Sequence, residues 1–237
     1  LKDSSRNSFM IKRMEDLADR TVWAMGEQLK CGDFVPFVFE HKFNMEVGDG
    51  DRKQLMSGTI DRVDICENGT DVYVRIIDYK TGKKDFNIVK TYYGIDIQLM
   101  VYMEAAMKLV AKMRPGKNVI PAGVFYYNIS DPIVSATTES AEEIEDKIKG
   151  ELRLKGMVNS DKDIAEKMDN TGGTSLNIPV SRKADGGFDS RRSKVMNTEQ
   201  FNMLGRFVDV RAVDTADRIA GGDIRRSPYK DGQFSSC

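Results

Sequence analysis

Charge of one sign is what this chain has least of. Among its 237 residues, 36 basic side chains face 37 acidic ones, a net charge of −1. It is therefore no polycation that holds nucleic acid by bulk attraction, and any such contact needs a local basic patch. The stretch from Arg182 to Lys194, with Lys183, Arg191 and Arg192, reads as such a patch or as a solvated, flexible loop. No apolar run approaches the roughly 18–20 residues of a membrane span. Leu1 to Asn7 are polar and unlike a signal peptide. Cysteine is scarce too. Three widely spaced residues, Cys31, Cys66 and Cys237, make no disulfide framework, so a reduced cytosolic protein is the expectation, with Cys31 and Cys66 as ordinary thiols. No G-x-x-x-x-G-K-[ST] loop occurs, which argues against ATP-driven work by this chain. There is no internal repeat.

What is present is an ordinary globular composition, 40% apolar, enough for a core. The length fits one domain or two. Met14, Leu17, Ala18, Thr21, Val22, Met25 and Leu29 recur at helical steps and predict a helix over Phe9–Lys30, stopped by Gly32. Phe34–Phe43 reads as a strand and Val47–Arg52 as a turn. Gln54–Cys66 and Asp71–Tyr79 read as two strands joined at Asn68-Gly69, a tight hairpin signal. Tyr92–Met113 reads as one largely buried helix, stopped at Pro115-Gly116, and Pro121–Ile129 as a further strand. The order predicts an α/β fold with a mixed central sheet flanked by helices. After Ile133 the chain turns polar. Ser140–Arg153 reads as a charged helix with a capping box at Ser140 and Glu143. Leu176–Val180 and Phe188–Lys194 read as a hairpin-like pair. Thr198–Ala220 reads as a helix with Thr198 as its N-cap and Gly221-Gly222 at its end.

The chemistry gathers on the predicted hairpin. Asp78 and Lys80 are two apart and share a strand face. Counting back from the turn near residue 69 puts a partner of Asp78 at residue 60 or 61, so Asp61 falls beside it. Two adjacent carboxylates repel unless a cation compensates. Magnesium is such a cation, needing one or two carboxylates and keeping several waters. A lysine beside the pair can hold water or neutralise charge growing on a phosphate. Spacing alone leaves two readings open: metal-assisted phosphodiester hydrolysis, or a surface hairpin with a cross-strand ion pair worth less than about 1 kcal/mol.

Three ordered motifs add weight: Gly58-Thr59-Ile60-Asp61-Arg62-Val63-Asp64, then Ile77-Asp78-Tyr79-Lys80-Thr81-Gly82, then Gln98-Leu99-Met100-Val101-Tyr102. Together they resemble the RecB-like branch of the PD-(D/E)xK nucleases, a restriction-endonuclease-like fold. Within that branch they are most similar to the C-terminal nuclease domain of the B subunits of bacterial AddAB helicase–nucleases. Phe34-Val35-Pro36 with Phe39-Glu40, Tyr92 to Gln98, Lys155-Gly156-Met157 with Met168-Asp169, and Gly222-Asp223-Ile224 with Ser227-Pro228-Tyr229 extend the likeness over most of the chain. The resemblance implies a single nuclease domain, with a core at about 9–133 and an extension at about 134–237 packing on it.

It implies Asp61 and Asp78 as metal ligands, with the Tyr79 carbonyl as a third, and Lys80 as the group that orients or activates water. The metal would be Mg2+, with Mn2+ able to substitute. Gln98 and Tyr102, at i and i+4 on one helical face, would line the DNA cleft; a helix face half in the core is the other reading. Asp64, at odd separation from Asp61, is expected on the opposite sheet face, in an ion pair with Arg62 or a neighbour. Glu40 is a supporting acid or a surface carboxylate.

Two departures matter. Members of this family carry an iron–sulfur cluster on four cysteines, one upstream and three near the C-terminus. Cys237 stands where the C-terminal group would begin, and neither Cys31 nor Cys66 fits the upstream ligand. The expectation is a chain truncated at both ends that carries no cluster. Related nucleases often have a metal-binding histidine on an earlier helix, whereas His41, the single histidine, lies in a predicted strand. The function implied is a magnesium-dependent DNA exonuclease of a bacterial cytoplasmic helicase–nuclease, paired with an A subunit in double-strand break repair by recombination. A stand-alone RecB-like or CRISPR-adaptation nuclease, and a catalytically silent DNA-end clamp or docking domain, are the alternatives.

Overall fold

The computed structural model describes residues 4–48, 50, 53–135, 139–225, 228–231 and 234–236. Cys237, Ser227 and part of the expected Val47–Arg52 turn lie outside the described residues. Helix α1 (Ser5–Lys30) starts four residues earlier than its apolar pattern, because Ser4 caps it by accepting the Asn7 N–H. Strands β1 (Val35–Val47), β2 (Gln54–Asn68) and β3 (Asp71–Lys80) then form an antiparallel meander. The β2–β3 loop is Gly69-Thr70, with Gly69 at φ 59, while Asn68 closes the ladder against Asp71.

The expected helix over Tyr92–Met113 is two helices, α2 (Ile88–Tyr92) and α3 (Gln98–Met113). The break falls at Gly94, whose φ of 76 takes the chain out of the helix. Strand β4 (Asn118–Asn128) returns parallel to β3. Beyond residue 133 come α4 (Ala141–Glu151), β5 (Lys155–Asn159), α5 (Lys162–Met168), β6 (Val195–Met196) and α6 (Thr198–Ala220). Strands β5 and β6 complete the sheet, ordered β1-β2-β3-β4-β5-β6, so the later half of the chain builds the sheet as well as packing on it. A separate hairpin pairs β7 (Tyr229–Asp231) with β8 (Phe234–Ser236).

Helix α4 carries the expected capping box at Ser140 and Glu143. The N-cap of α6 is Asn197, not Thr198: Asn197 is extended and its side chain accepts the Gln200 N–H, whereas the Thr198 hydroxyl lies inside the helix and accepts from Asn159. The expected hairpin over 176–194 is absent. Two isolated bridges, Thr174–Ser181 and Arg182–Phe188, stand in its place. Arg182 donates to the Ala165 and Asp169 carbonyls, and Asp189 accepts the Arg191 and Arg192 N–H groups, so the stretch is tied down by hydrogen bonds.

The sheet is buried on both faces. Helices α3 and α6 cover one, over Ile60, Val63, Val74, Ile76 and Val124. Helices α1 and α5 cover the other, over Phe34, Ile77, Phe125 and Leu154. Both Cys31 and Cys66 are free, and burial pushes each thiol's pKa up. No described helix is long and apolar enough to cross a membrane.

Candidate active site

Strand β2 turns over where its first acid stands. Met56 and Ile60 pack on the α3 side of the sheet, and so do Val63 and Ile65. The step from Ile60 to Val63 is three residues, whereas strict alternation allows two or four. Opposite this point β1 is also irregular. Phe39 pairs with Arg62 and His41 with Ile60, but no pair forms at Glu40, whose φ of 48 makes it the single non-glycine in that region among the described residues. Such a conformation costs roughly 1–3 kcal/mol and persists where the surroundings impose it. Glu40 itself is exposed.

The turnover lets Asp61 reach across to β3, where its Oδ2 accepts the Tyr79 N–H at 2.8 Å. The β2–β3 register pairs Arg62 with Ile77, and its next step sets Asp61 against Asp78. Asp78 is 2% exposed. Burial raises its pKa, and the Asp61 charge adds to that rise, while Lys80 pulls the other way. The Lys80 ammonium lies 2.5 Å from Asp78 Oδ2. The contact is an ion pair, and that buried oxygen has no other polar partner among the described residues.

Lys80 is positioned from several sides. Its Nζ donates to Gln98 Oε1 at 3.1 Å, and Gln98 Nε2 donates to the Tyr102 hydroxyl at 2.8 Å. Tyr102 meets Phe43 edge to face at 5.8 Å. Both rings lie over Gly58, where a Cβ would stand 2.9 Å from the Phe43 ring; this is the packing reason for glycine three residues before Asp61. Beneath Lys80, at 5.6 Å, is the ring of Tyr126, the β4 residue paired with Asp78. The Tyr126 hydroxyl donates to Asp96 at 2.7 Å, and Asp96 also pairs with Lys84 at 3.2 Å. Asp96 thereby pins the start of α3 and brings Gln98 to Lys80.

The opposite face of the same two strands holds a buried ion cluster. Arg62 grips Asp64 bidentately, Nε to Oδ1 at 2.6 Å and Nη2 to Oδ2 at 2.8 Å. Arg75, across the ladder from Asp64, binds Oδ2 at 2.9 Å through Nε. Burial works against the Arg62 charge but the Asp64 bonds outweigh it, so its pKa is raised; Arg75 is lowered by its deeper burial. Arg62 Nη1 also donates to the Tyr79 hydroxyl at 3.4 Å. The cluster therefore clamps the residue after Asp61 to the residue between Asp78 and Lys80.

The structure thus brings together Asp61, Asp78, Lys80, Gln98 and Tyr102, with the Tyr79 backbone between the acids. It sets Asp64 behind the sheet, Glu40 at the surface beside the β1 irregularity, and His41 half-exposed in β1. Tyr126, Asp96 and Lys84 are additions that the sequence motifs did not single out. The donor set suits a hard divalent cation: oxygens only, two carboxylates and one buried oxygen without a hydrogen bond. Among the described residues no group of three or more His, Cys, Asp or Glu is gathered for a metal. The remaining ligands would be the Tyr79 carbonyl and water.

The chain is 35% identical, over 248 aligned positions, to the B subunit of the ATP-dependent helicase/deoxyribonuclease of Clostridium botulinum strain Hall. It is 36% identical to the protein of that name from Caldanaerobacter subterraneus and 34% to that from Thermoanaerobacter sp. X514. In each case all of this chain is matched, and it spans 21% of the relative's length. The sequence profile of the PD-(D/E)XK nuclease superfamily matches residues 1–237. That match runs from the first residue to the last, and the chain belongs to the PD-(D/E)XK nuclease superfamily.

Proposed function

We propose that this chain is a magnesium-dependent DNA nuclease module, acting exonucleolytically within a helicase–nuclease that processes broken DNA ends for recombination. The observation that carries the reading is the meeting of Asp61, buried Asp78 and Lys80 on adjacent strands, with an Asp78 oxygen left without a hydrogen bond. The relatives are named as B subunits of an ATP-dependent helicase/deoxyribonuclease; in keeping with that name, we place the module beside a motor, on a partner A subunit or elsewhere in a longer chain, at work on DNA in the bacterial cytoplasm.

Hydrolysis of a phosphodiester requires a water to lose a proton and attack phosphorus, while negative charge grows on the phosphate oxygens and the leaving oxygen. When bound at Asp61 and Asp78, a divalent cation supplies charge neutralisation and a more acidic water. The protein's own part is positional. Asp61 is fixed by the Tyr79 N–H, so its carboxylate stays aimed at β3. Lys80, held by Asp78 and Gln98, keeps a positive charge beside the reacting phosphate and a donor for the attacking water. The Tyr126 ring under the Lys80 ammonium adds a cation–π attraction that helps hold it in place.

The test is incubation of the protein with end-labelled single- and double-stranded DNA, with magnesium or with a chelator. Cleavage in magnesium and none in chelator is the expected result. Cleavage indifferent to chelation would contradict the metal assignment, and binding without cleavage would favour a silent clamp. Gln98→Leu keeps the helix but removes the acceptor for Lys80. It is expected to lower kcat about 10–100-fold, the range for groups that orient a metal site from behind, with unchanged thermal stability. Single-turnover rates check this.

A further inference from the structure

A second cationic site lies beside the first, just beyond Lys80. A cavity of about 570 Å³ opens where β3 and β4 end, between the Thr81–Asp85 segment and the start of β5. Lys83, Lys84, Arg153, Lys155 and Lys194 line it against Asp85 and Glu151, and with Lys84 also paired to Asp96 the positive charges still outnumber the negative ones. Its walls are built. Asn128 accepts the Lys84 N–H at 3.0 Å and donates to the Lys84 carbonyl at 2.9 Å, which fixes the segment leaving β3 to the end of β4. Lys194 closes the far side on Asp85 at 2.5 Å.

Two cations there are poorly compensated. Arg153 Nε is buried without a hydrogen-bond partner, although Nη1 reaches the Ser175 carbonyl at 3.4 Å. Lys155 is half-buried. Burial lowers its pKa and the Arg153 and Lys194 charges add to that, while Glu151 and Asp85 oppose it without cancelling it. Cations held together at such a cost mark a place for an anion.

The sheet register sets this cavity in line with Asp78. Asp78 pairs with Tyr126 on β4, and Tyr126 pairs with Lys155 on β5. Paired residues share a face, so Asp78, Tyr126 and Lys155 form a row across the active face, with Lys80 and Lys84 over the Tyr126 ring between them. Two strand spacings separate Asp78 from Lys155, on the order of 10 Å. Through its side chain, Lys155 then reaches the phosphate next to one seated at Asp78.

We infer that this cavity is a phosphate seat for the DNA strand, with Lys155 as its principal cation, holding a phosphate adjacent to the one being cut. The inference rests on the nuclease reading of the neighbouring site. The phosphate is an internal one of a continuing strand or the terminal one of a strand end, and the same chemistry serves both.

The test measures binding, without cleavage, by fluorescence anisotropy of a labelled single-stranded oligonucleotide in chelator over a series of salt concentrations. Lys155→Gln is expected to weaken binding several-fold and to reduce the slope of log affinity against log salt by about 0.7, one phosphate contact on a single strand. Lys155→Arg should restore both, and Lys12→Gln, on the ion pair with Asp16 in α1, should change neither. Competitor oligonucleotides carrying a 5′-phosphate, a 3′-phosphate or neither decide the source. A phosphorylated end that competes better with the wild type, but not with Lys155→Gln, identifies a terminal phosphate; equal competition identifies an internal one. Unchanged binding in Lys155→Gln, an equal loss in Lys155→Arg, an equal loss in Lys12→Gln, or no binding by the wild type overturns the inference. Failure of the wild type to cleave in magnesium would refute the nuclease reading separately, since the binding comparison needs no cleavage.

Discussion

Asp78→Asn is expected to slow DNA cleavage by at least about a thousandfold, or about 4 kcal/mol of transition-state stabilisation, without destabilising the metal-free fold. The first half follows from position: Asp78 carries the buried oxygen that has charge beside it and no hydrogen bond. The second half follows from its raised pKa. A carboxyl whose folded pKa exceeds its unfolded value gives stability that is fully present below the unfolded value, about 3.9. That stability is lost as pH rises through the folded value. At neutral pH the wild type therefore bears the cost of an ionised, buried Asp78, and the amide does not. In chelator, the variant's unfolding midpoint should equal or exceed the wild type's at pH 7, with the advantage fading toward pH 4. Wild-type cleavage by the variant would move the reaction elsewhere in the chain.

Asp64→Ala is expected to do the reverse, unfolding the protein readily although Asp64 touches none of the proposed metal ligands. Arg62 and Arg75 are 1% and 2% exposed, and Asp64 is their shared carboxylate. Removing it leaves two buried guanidinium groups uncompensated. Breaking one buried pair costs about 3–5 kcal/mol. For a domain of this size that is a fall in midpoint of roughly 6–20 °C. Thermal and denaturant unfolding measure it, and a loss below about 1 kcal/mol would show that water or rearrangement satisfies the arginines. Asp78 and Asp64 are thus expected to have opposite signatures, Asp78 in cleavage and Asp64 in stability.

Much of the site was legible because it is local. Asn68-Gly69 marked the hairpin, and counting from it put Asp61 near Asp78; the pairing of Arg75 with Asp64 is supplied by the structure. What was not legible depends on distant pairing. Tyr126 comes under Lys80 because β4 runs parallel to β3 in one particular register, and no local pattern sets that register. Strands β5 and β6 are five and two residues long, too short to show alternation, yet they extend the sheet and deliver Lys155 to the active face. The break between α2 and α3 was hidden for another reason. Apolar residues continue at helical spacing through Tyr92–Ile97, and a single glycine in such a run reads as tolerated; only its φ of 76 reveals the turn. That turn frees Asp96 to meet Tyr126 and sets Gln98 at the head of α3.

The proposed site requires Asp61 and Asp78 to hold one divalent cation between them. The direct measurement is anomalous diffraction from crystals of the protein soaked in manganese. The account predicts a peak between the two carboxylates, within coordination distance of both and of the Tyr79 carbonyl, that disappears in Asp78→Asn. A peak bound elsewhere, or none at saturating manganese with both aspartates intact, would contradict it.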